Sequence, residues 1–288
     1  MKHAWNIWVV GGDLRQAELA KQLAEDGHTV RTFGLTAHSG QVFPESDLTQ
    51  LSKADCVIFP LPVSSSNGLL NAPALSSPPA LSSIFPLLSP NCILMGGRLD
   101  SETQKLASAH GLTIHDYYDR EELAVANAVP TAEGALQLAM EHLPITIHGA
   151  RVLVLGFGRV GRLTAQRFSA LGAKVSIAAR KYEQLAWAQA MGFGCEHLEQ
   201  LSGWLCSYNL IINTVPALIL TKEHLKDLAP DCLILDLASN PGGVDKHAAA
   251  ELGIQLIHAL ALPGKVAPVS AGIILKRTVC HMLCELGL

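Results

Sequence analysis

The sequence predicts an α/β protein: two doubly wound, Rossmann-like domains with an inter-domain cleft. Three observations carry this. Short apolar runs alternate with longer helical patterns throughout the 288 residues. The runs are near-continuous in Val, Ile and Leu, as parallel strands covered by helices on both faces require. One interval is also written twice. Gly11 to Gly27 and Gly156 to Gly172 both span sixteen residues, each a strand, a glycine turn, a helix and a closing glycine.

In order, strands are expected at 6–10, 29–33, 56–59, 92–95 and 112–115, then at 151–155, 174–178, 210–213, 233–236 and 254–257. The stretch 71–90, rich in Ser and Pro, reads as an irregular excursion. Pro130-Thr131-Ala132-Glu133-Gly134 reads as the opening of a helix with apolar Leu136, Ala139, Met140 and Leu143, stopped by Pro144. This hinge helix, 131–143, divides a first domain, 1–130, from a second, 131–267. The last helix, 268–288, carries Ile273, Ile274, Val279, Met282, Leu283 and Leu286 and is expected to pack back on the first domain.

Composition narrows the function classes. With 49% hydrophobic and 16% charged residues the chain can offset its ordering entropy by burial, which argues against disorder. A net charge of −4 implies no nucleic-acid partner. No uninterrupted apolar run reaches the length of a membrane span, and the start, MKHAWNIWVVGGD, is unlike a signal peptide. Seven cysteines without framework spacing suggest reduced thiols and a cytoplasmic protein. Cys280 and Cys284, four apart on an apolar stripe, read as buried core thiols, and no metal site is expected.

Gly156-Phe157-Gly158-Arg159-Val160-Gly161 is G-x-G-x-x-G set between a strand and a helix. The first glycine permits the tight turn, the second lets backbone approach a pyrophosphate, and the third lets helix and strand pack closely. Helix amides then hold the phosphates. The next strand ends in Arg180-Lys181, with no carboxylate to bond a ribose 2′-hydroxyl. A guanidinium there suits a 2′-phosphate, so NADP is expected over NAD. Asn213-Thr214-Val215-Pro216 and Ser239, within Asp236-Leu-Ala-Ser239-Asn240-Pro241-Gly242-Gly243, end strands on the same edge and are candidate cofactor contacts.

The first domain has Gly11-Gly12-Asp13-Leu14-Arg15 without a third glycine, so a second dinucleotide is not expected. The helix end it opens suits a carboxylate. Gly12, Asp13, Arg15 and Gly97 (in Gly96-Gly97-Arg98), with Thr131 and Glu133 of the hinge helix, are the candidate contacts for a small dicarboxylate. Pro60-Leu-Pro62-Val-Ser64-Ser65-Ser66 offers hydroxyls on that edge. Glu133 is three and seven positions before Leu136 and Met140, on what reads as the apolar face. No general acid or base is identified; His148 and His258 read as structural.

The segments GGDLRQ (11–16), NAVPTAEGAL (127–136), GFGRVGR (156–162), NTVP (213–216), LDLASNPGG (235–243) and ALPGKVAP (261–268) together resemble the family of dipicolinate synthase A subunits over essentially the whole chain. The resemblance implies dehydration and NAD(P)-linked oxidation of a hydroxytetrahydrodipicolinate to dipicolinate, with a flavoprotein-like B subunit as partner, in the mother-cell cytoplasm of a spore former. A homo-oligomer is expected. Two-domain hydroxyacid dehydrogenases share the layout, but their Arg after the fifth-strand alanine is Ser239 here, and no matching Glu and His follow. Another two-domain amino- or hydroxy-acid dehydrogenase and a non-catalytic nucleotide-sensing subunit stand as alternatives.

Overall fold

The computed structural model describes residues 4–35 and 41–287. They form two compact units, one of residues 1–127 with 267–288 and the other of residues 128–266.

Unit 1 contains β1 (Asn6–Val10), α1 (Leu14–Glu25), β2 (Thr29–Phe33), β3 (Val42–Pro44), β4 (Cys56–Ile58), α2 (Leu81–Ile84), β5 (Ile93–Gly96), α3 (Ser101–Ala109) and β6 (Ile114–Asp116). α4 (Glu121–His142) passes from this unit into the next. Unit 2 continues with β7 (Arg151–Leu155), α5 (Arg159–Ala170), β8 (Lys174–Ala179), α6 (Tyr182–Ala190), β9 (Gly194–His197), β10 (Leu210–Asn213), α7 (Lys222–Lys226), β11 (Leu233–Asp236), α8 (Lys246–Glu251), β12 (Gln255–His258) and α9 (Leu262–Val266). α10 (Pro268–Glu285) returns to unit 1; Leu288 of the helix expected there lies outside the described residues.

Each unit is built on one six-stranded parallel sheet, ordered β3-β2-β1-β4-β5-β6 in unit 1 and β12-β11-β10-β7-β8-β9 in unit 2. Both are the doubly wound arrangement, with chain order reversing beside the first strand of the unit, where ligands enter at the carboxyl edge. The apolar strands are buried on both faces. In unit 2, Val152 and Val154 face a core with Phe157, Ala165 and Phe168, while Leu153 and Leu155 face another with Leu220, Leu225 and Ala248.

Two differences from the sequence reading have local causes. β3 and β9 join the sheets at their edges: β3 has only three residues, with Phe43 and Pro44 exposed, and β9 is Gly-Cys-Glu-His, so neither is the buried apolar run that marks a central strand. The helix expected from Thr131 begins at Glu121 instead, with Pro130 inside it. Proline forfeits one helical hydrogen bond, but the alanine-rich turns on both sides favour continuation.

α10 packs on α1 within unit 1. A Cβ on Gly272 would lie 2.7 Å from the Arg15 carbonyl oxygen, so only glycine allows this approach. Leu275, Val279 and Met282 join Leu19 and Leu23 in one core, and Lys276 pairs with Asp26 at 2.5 Å.

Candidate functional site

In unit 2 the glycine turn leaves β7 at the crevice between β7 and β10. The three glycines differ in their surroundings. Gly156 has φ +90, and a Cβ on it would lie 2.7 Å from Thr214 Oγ1. A Cβ on Gly161 would sit 2.2 Å from the Gly156 carbonyl oxygen, so the helix closes on the strand only because that atom is absent. Gly158 has φ −81, and among the described residues nothing lies within 4 Å of where its Cβ would be. The turn is therefore tight below and open above, and no side chain caps α5. The amides of the first turn of a helix have no partners inside it, so an open amino end suits an anion. This cradle fits a pyrophosphate.

Phe157 is buried against Phe193 at 6.1 Å, Val160 is half-buried, and Arg159 is exposed. Arg162 lies over the Phe157 ring and donates to its carbonyl oxygen at 3.2 Å. Thr214 ties the crevice shut below the turn, since its N–H and Oγ1 donate to the Leu155 carbonyl oxygen at 3.0 and 2.8 Å. Val215 is half-buried, and Pro216 and Ser239 are exposed on the same carboxyl edge.

At the end of β8, Arg180 is exposed, and its guanidinium has no carboxylate or hydrogen-bond partner among the described residues. Its carbonyl oxygen is bonded to His197 Nε2 at 3.0 Å, which steadies the backbone there. Lys181 pairs with Glu183 at 3.6 Å in solvent.

A buried carboxylate organises the loops after β10 and β11, and the sequence reading missed it. Asp236 is fully buried. Its Oδ1 accepts from Asn213 Nδ2 at 2.8 Å and from the Ala238 N–H at 3.2 Å, while Oδ2 accepts from the Gly243 N–H at 2.8 Å. Asn213, also fully buried, donates to the Val215 carbonyl oxygen and accepts from the Val215 N–H. One carboxylate and one amide thus fix Val215 and the segment 238–243 together. The available signal was an Asp closing the strand Leu233–Asp236 among Ile234, Leu235 and Leu237, because a charge placed there needs donors. His258 is structural: its Nε2 bonds the Ala238 carbonyl oxygen at 2.9 Å and its Nδ1 meets Lys246 Nζ at 2.8 Å.

In unit 1 the corresponding turn is filled. The Gly11 N–H donates to the Phe33 carbonyl oxygen at 2.8 Å, as the Gly156 N–H of unit 2 does to that of Ala178, but here the Gly12 N–H is taken as well, by the Asn71 carbonyl oxygen at 2.8 Å. Asp13 caps α1, accepting from the Arg15 N–H at 2.9 Å, and Gln16 Oε1 accepts from the Asp13 N–H at 3.1 Å. The Asp13 carboxylate occupies the place that the sequence reading left for a ligand carboxylate. Arg15 is buried, with Nε and Nη2 on Asp13 and Nη2 also donating to the Leu61 carbonyl oxygen at 3.2 Å. Burial opposes ionisation of Asp13, but its bonds to Arg15 and that charge outweigh it and hold the carboxyl below its ordinary value.

Gly97 lies on the same edge, with no room for a Cβ, which would be 2.4 Å from Tyr117 Cε2. Ser64 Oγ donates to Asp100, and Ser65 Oγ to the Leu69 carbonyl oxygen at 3.3 Å. Thr131 is half-buried in the part of α4 assigned to unit 2. Glu133 departs from the expectation. It is exposed and pairs with Arg167 at 3.4 Å, because the buried stripe of α4 runs through Ala132, Ala135 and Ala139 and leaves Glu133 one position off it. Cys280 is half-buried as a core neighbour, but Cys284 is exposed in the last turn of α10. No group of three metal-binding side chains occurs among the described residues.

Comparison with known proteins follows this division. Residues 6–118 match the family model of the N-terminal domain of the dipicolinate synthase A subunit, and residues 137–260 match that of shikimate / quinate 5-dehydrogenase. The dipicolinate synthase A subunit of Bacillus subtilis (strain 168) is 33% identical over 285 residues, covering 97% of this chain and 96% of the relative. The crystal structure of the dipicolinate synthase A subunit from Bacillus halodurans superposes with a TM-score of 0.90 at 30% identity, covering 97% of both chains. The A chain of the Bacillus subtilis enzyme gives 0.88 at 32%, covering 100% of this chain and 98% of that one.

Proposed function

The chain belongs to the family of dipicolinate synthase A subunits, and on that premise we propose that it converts a 4-hydroxytetrahydrodipicolinate to dipicolinate with NADP+ as oxidant. Loss of water from the 4-hydroxyl leaves a dihydropyridine dicarboxylate. Removal of one hydride and one proton then gives the aromatic ring, and aromatisation favours the oxidation. When bound, the nicotinamide supplies the hydride acceptor.

The single observation that carries the reading is the contrast between two helix starts in one chain. α1 is closed by its own Asp13, whereas α5 is uncapped, with open space over Gly158. On this reading Gly156, Gly158 and Gly161 hold the pyrophosphate with the amides of Phe157, Arg159 and Val160. Arg180 and Lys181 receive the 2′-phosphate. The segment Asn213–Pro216 and Ser239, braced by Asp236, support the rest of the cofactor. Gly12, Asp13, Arg15, Gly97, Thr131 and Glu133 remain the proposed substrate contacts, with Arg15 acting through a charge already matched by Asp13. That the relatives are A subunits supports a B subunit as partner, and the same premise extends the reading to a sporulating mother cell. No helix among the described residues is long and apolar enough to cross a membrane.

The test is the purified chain with hydroxytetrahydrodipicolinate and NADP+, followed at 340 nm and by dipicolinate release. Reduced cofactor and dipicolinate in equal amounts are expected. Dipicolinate forming at the same rate without NADP+ overturns the reading.

A further inference from the structure

Unit 1 holds a guanidinium with no ion pair or hydrogen bond among the described residues. Arg98 follows β5 at the carboxyl edge of the sheet and has φ +55, the left-handed region that disfavours any residue with a Cβ. The turn is held from every side. The Arg98 and Leu99 N–H groups donate to Asp116 Oδ1 and Oδ2 at 3.0 and 2.8 Å. The Gly97 N–H donates to the Pro60 carbonyl oxygen, and the Val63 N–H donates to that of Gly97, both at 3.1 Å. Glycine would meet this geometry at lower cost, yet an arginine stands here.

Arg98 is exposed and has no ion pair or side-chain hydrogen bond among the described residues. The other cations of unit 1 separate cleanly. Arg15, Lys21, Arg31, Arg120 and Lys276 are matched by Asp13, Glu18, Glu45, Glu285 and Asp26. Lys53, Lys105 and Arg277 are unmatched among the described residues, but Lys53 precedes β4, and Lys105 and Arg277 lie on α3 and α10. Among the described residues of unit 1, Arg98 alone is an unmatched cation at the carboxyl end of a strand. The turn that carries it is bonded to the Pro60–Val63 turn, whose Leu61 carbonyl oxygen holds Arg15.

We propose that Arg98 is a substrate-binding residue: its guanidinium takes a carboxylate of the dicarboxylate substrate, and the left-handed turn fixes where that group is presented. The inference rests on the dicarboxylate reading above. A guanidinium binds a carboxylate through paired charge-assisted bonds, which lysine matches only as a point charge.

The experiment uses the full chain, with pyridine-2,6-dicarboxylate as probe by calorimetric titration and thermal unfolding in parallel, on the unaltered protein and on Arg98→Gly, Arg98→Ala and Arg98→Lys. Arg98→Gly relieves the backbone, so its Tm should rise by about 2–4 °C. Its Kd for the probe should nevertheless weaken roughly 10- to 100-fold, as should that of Arg98→Ala. Arg98→Lys should fall between, and NADP+ binding should not change in any variant. A folded Arg98→Gly that binds the probe like the unaltered chain overturns the role of Arg98 and leaves the dicarboxylate reading standing. No probe binding by the unaltered chain overturns both.

Discussion

The glycine turn of unit 2 makes opposite predictions for two neighbouring Gly→Ala substitutions. At Gly161 the new Cβ would lie 2.2 Å from the Gly156 carbonyl oxygen and 3.0 Å from its carbon. The obstruction is backbone, well inside any contact distance, so α5 must move away from β7. Overpacking of this kind costs about 1–3 kcal/mol. At Gly158 the new Cβ meets nothing within 4 Å among the described residues, and φ is −81, a value any residue adopts. Alanine is a poorer helix cap than glycine by roughly 0.5–1 kcal/mol. The smaller unfolded-state entropy returns about 0.4–1 kcal/mol. Gly158→Ala should therefore leave stability within about 0.5 kcal/mol, while its methyl group fills the space a pyrophosphate needs. Losing one charge-assisted bond to phosphate corresponds to roughly 10- to 100-fold in affinity. Urea unfolding supplies the first quantity and NADPH fluorescence titration the second. Gly158→Ala with normal stability and undiminished NADPH binding would refute the cradle. Gly161→Ala should fail in the unfolding measurement first.

Three further outcomes are expected. Arg180→Asp should weaken NADPH binding about 10- to 100-fold and leave NADH within a few-fold; equal losses would remove Arg180 from the 2′-phosphate. Asp236→Asn sets an amide donor against the N–H donors of Asn213, Ala238 or Gly243 and should cost roughly 1–3 kcal/mol in urea unfolding; an unchanged midpoint would show that the network does not brace these loops. Asp13, held below its ordinary value of 3.8, stabilises the fold fully above that pH and loses its contribution as pH falls through the lower folded value. The Tm gap between the unaltered chain and Asp13→Asn should thus be widest near neutrality and close in acid, and a gap constant from about pH 7 to 3 would contradict the assignment.

The sequence was most legible where one physical demand dominates. The central strands announce themselves because both faces are buried and only apolar residues satisfy that; β3, with Pro44 and an exposed Phe43, and β9, opening on glycine, answer to no such demand. The G-x-G-x-x-G turn was readable because each glycine has a separate steric reason, which the geometry bears out at Gly156 and Gly161. Partnership was not readable. Nothing in Gly12-Asp13-Leu14-Arg15 says that Arg15 folds back on the residue two before it, and spacing alone could not tell that Glu133 is exposed. Pro130 misled because proline is a common helix opener, and only the packed alanines around it reveal a helix that tolerates it.

The seating of α10 against α1 bears on how the polypeptide reaches its final form. Residues 128–266 are continuous in sequence, so unit 2 has all its parts once they have been made. Unit 1 does not: the face of α1 carrying Leu19 and Leu23 waits for Leu275, Val279 and Met282, which are synthesised only after the whole of unit 2. The lobe begun first is completed last, and until then its greasy seam must be shielded by whatever lies nearest.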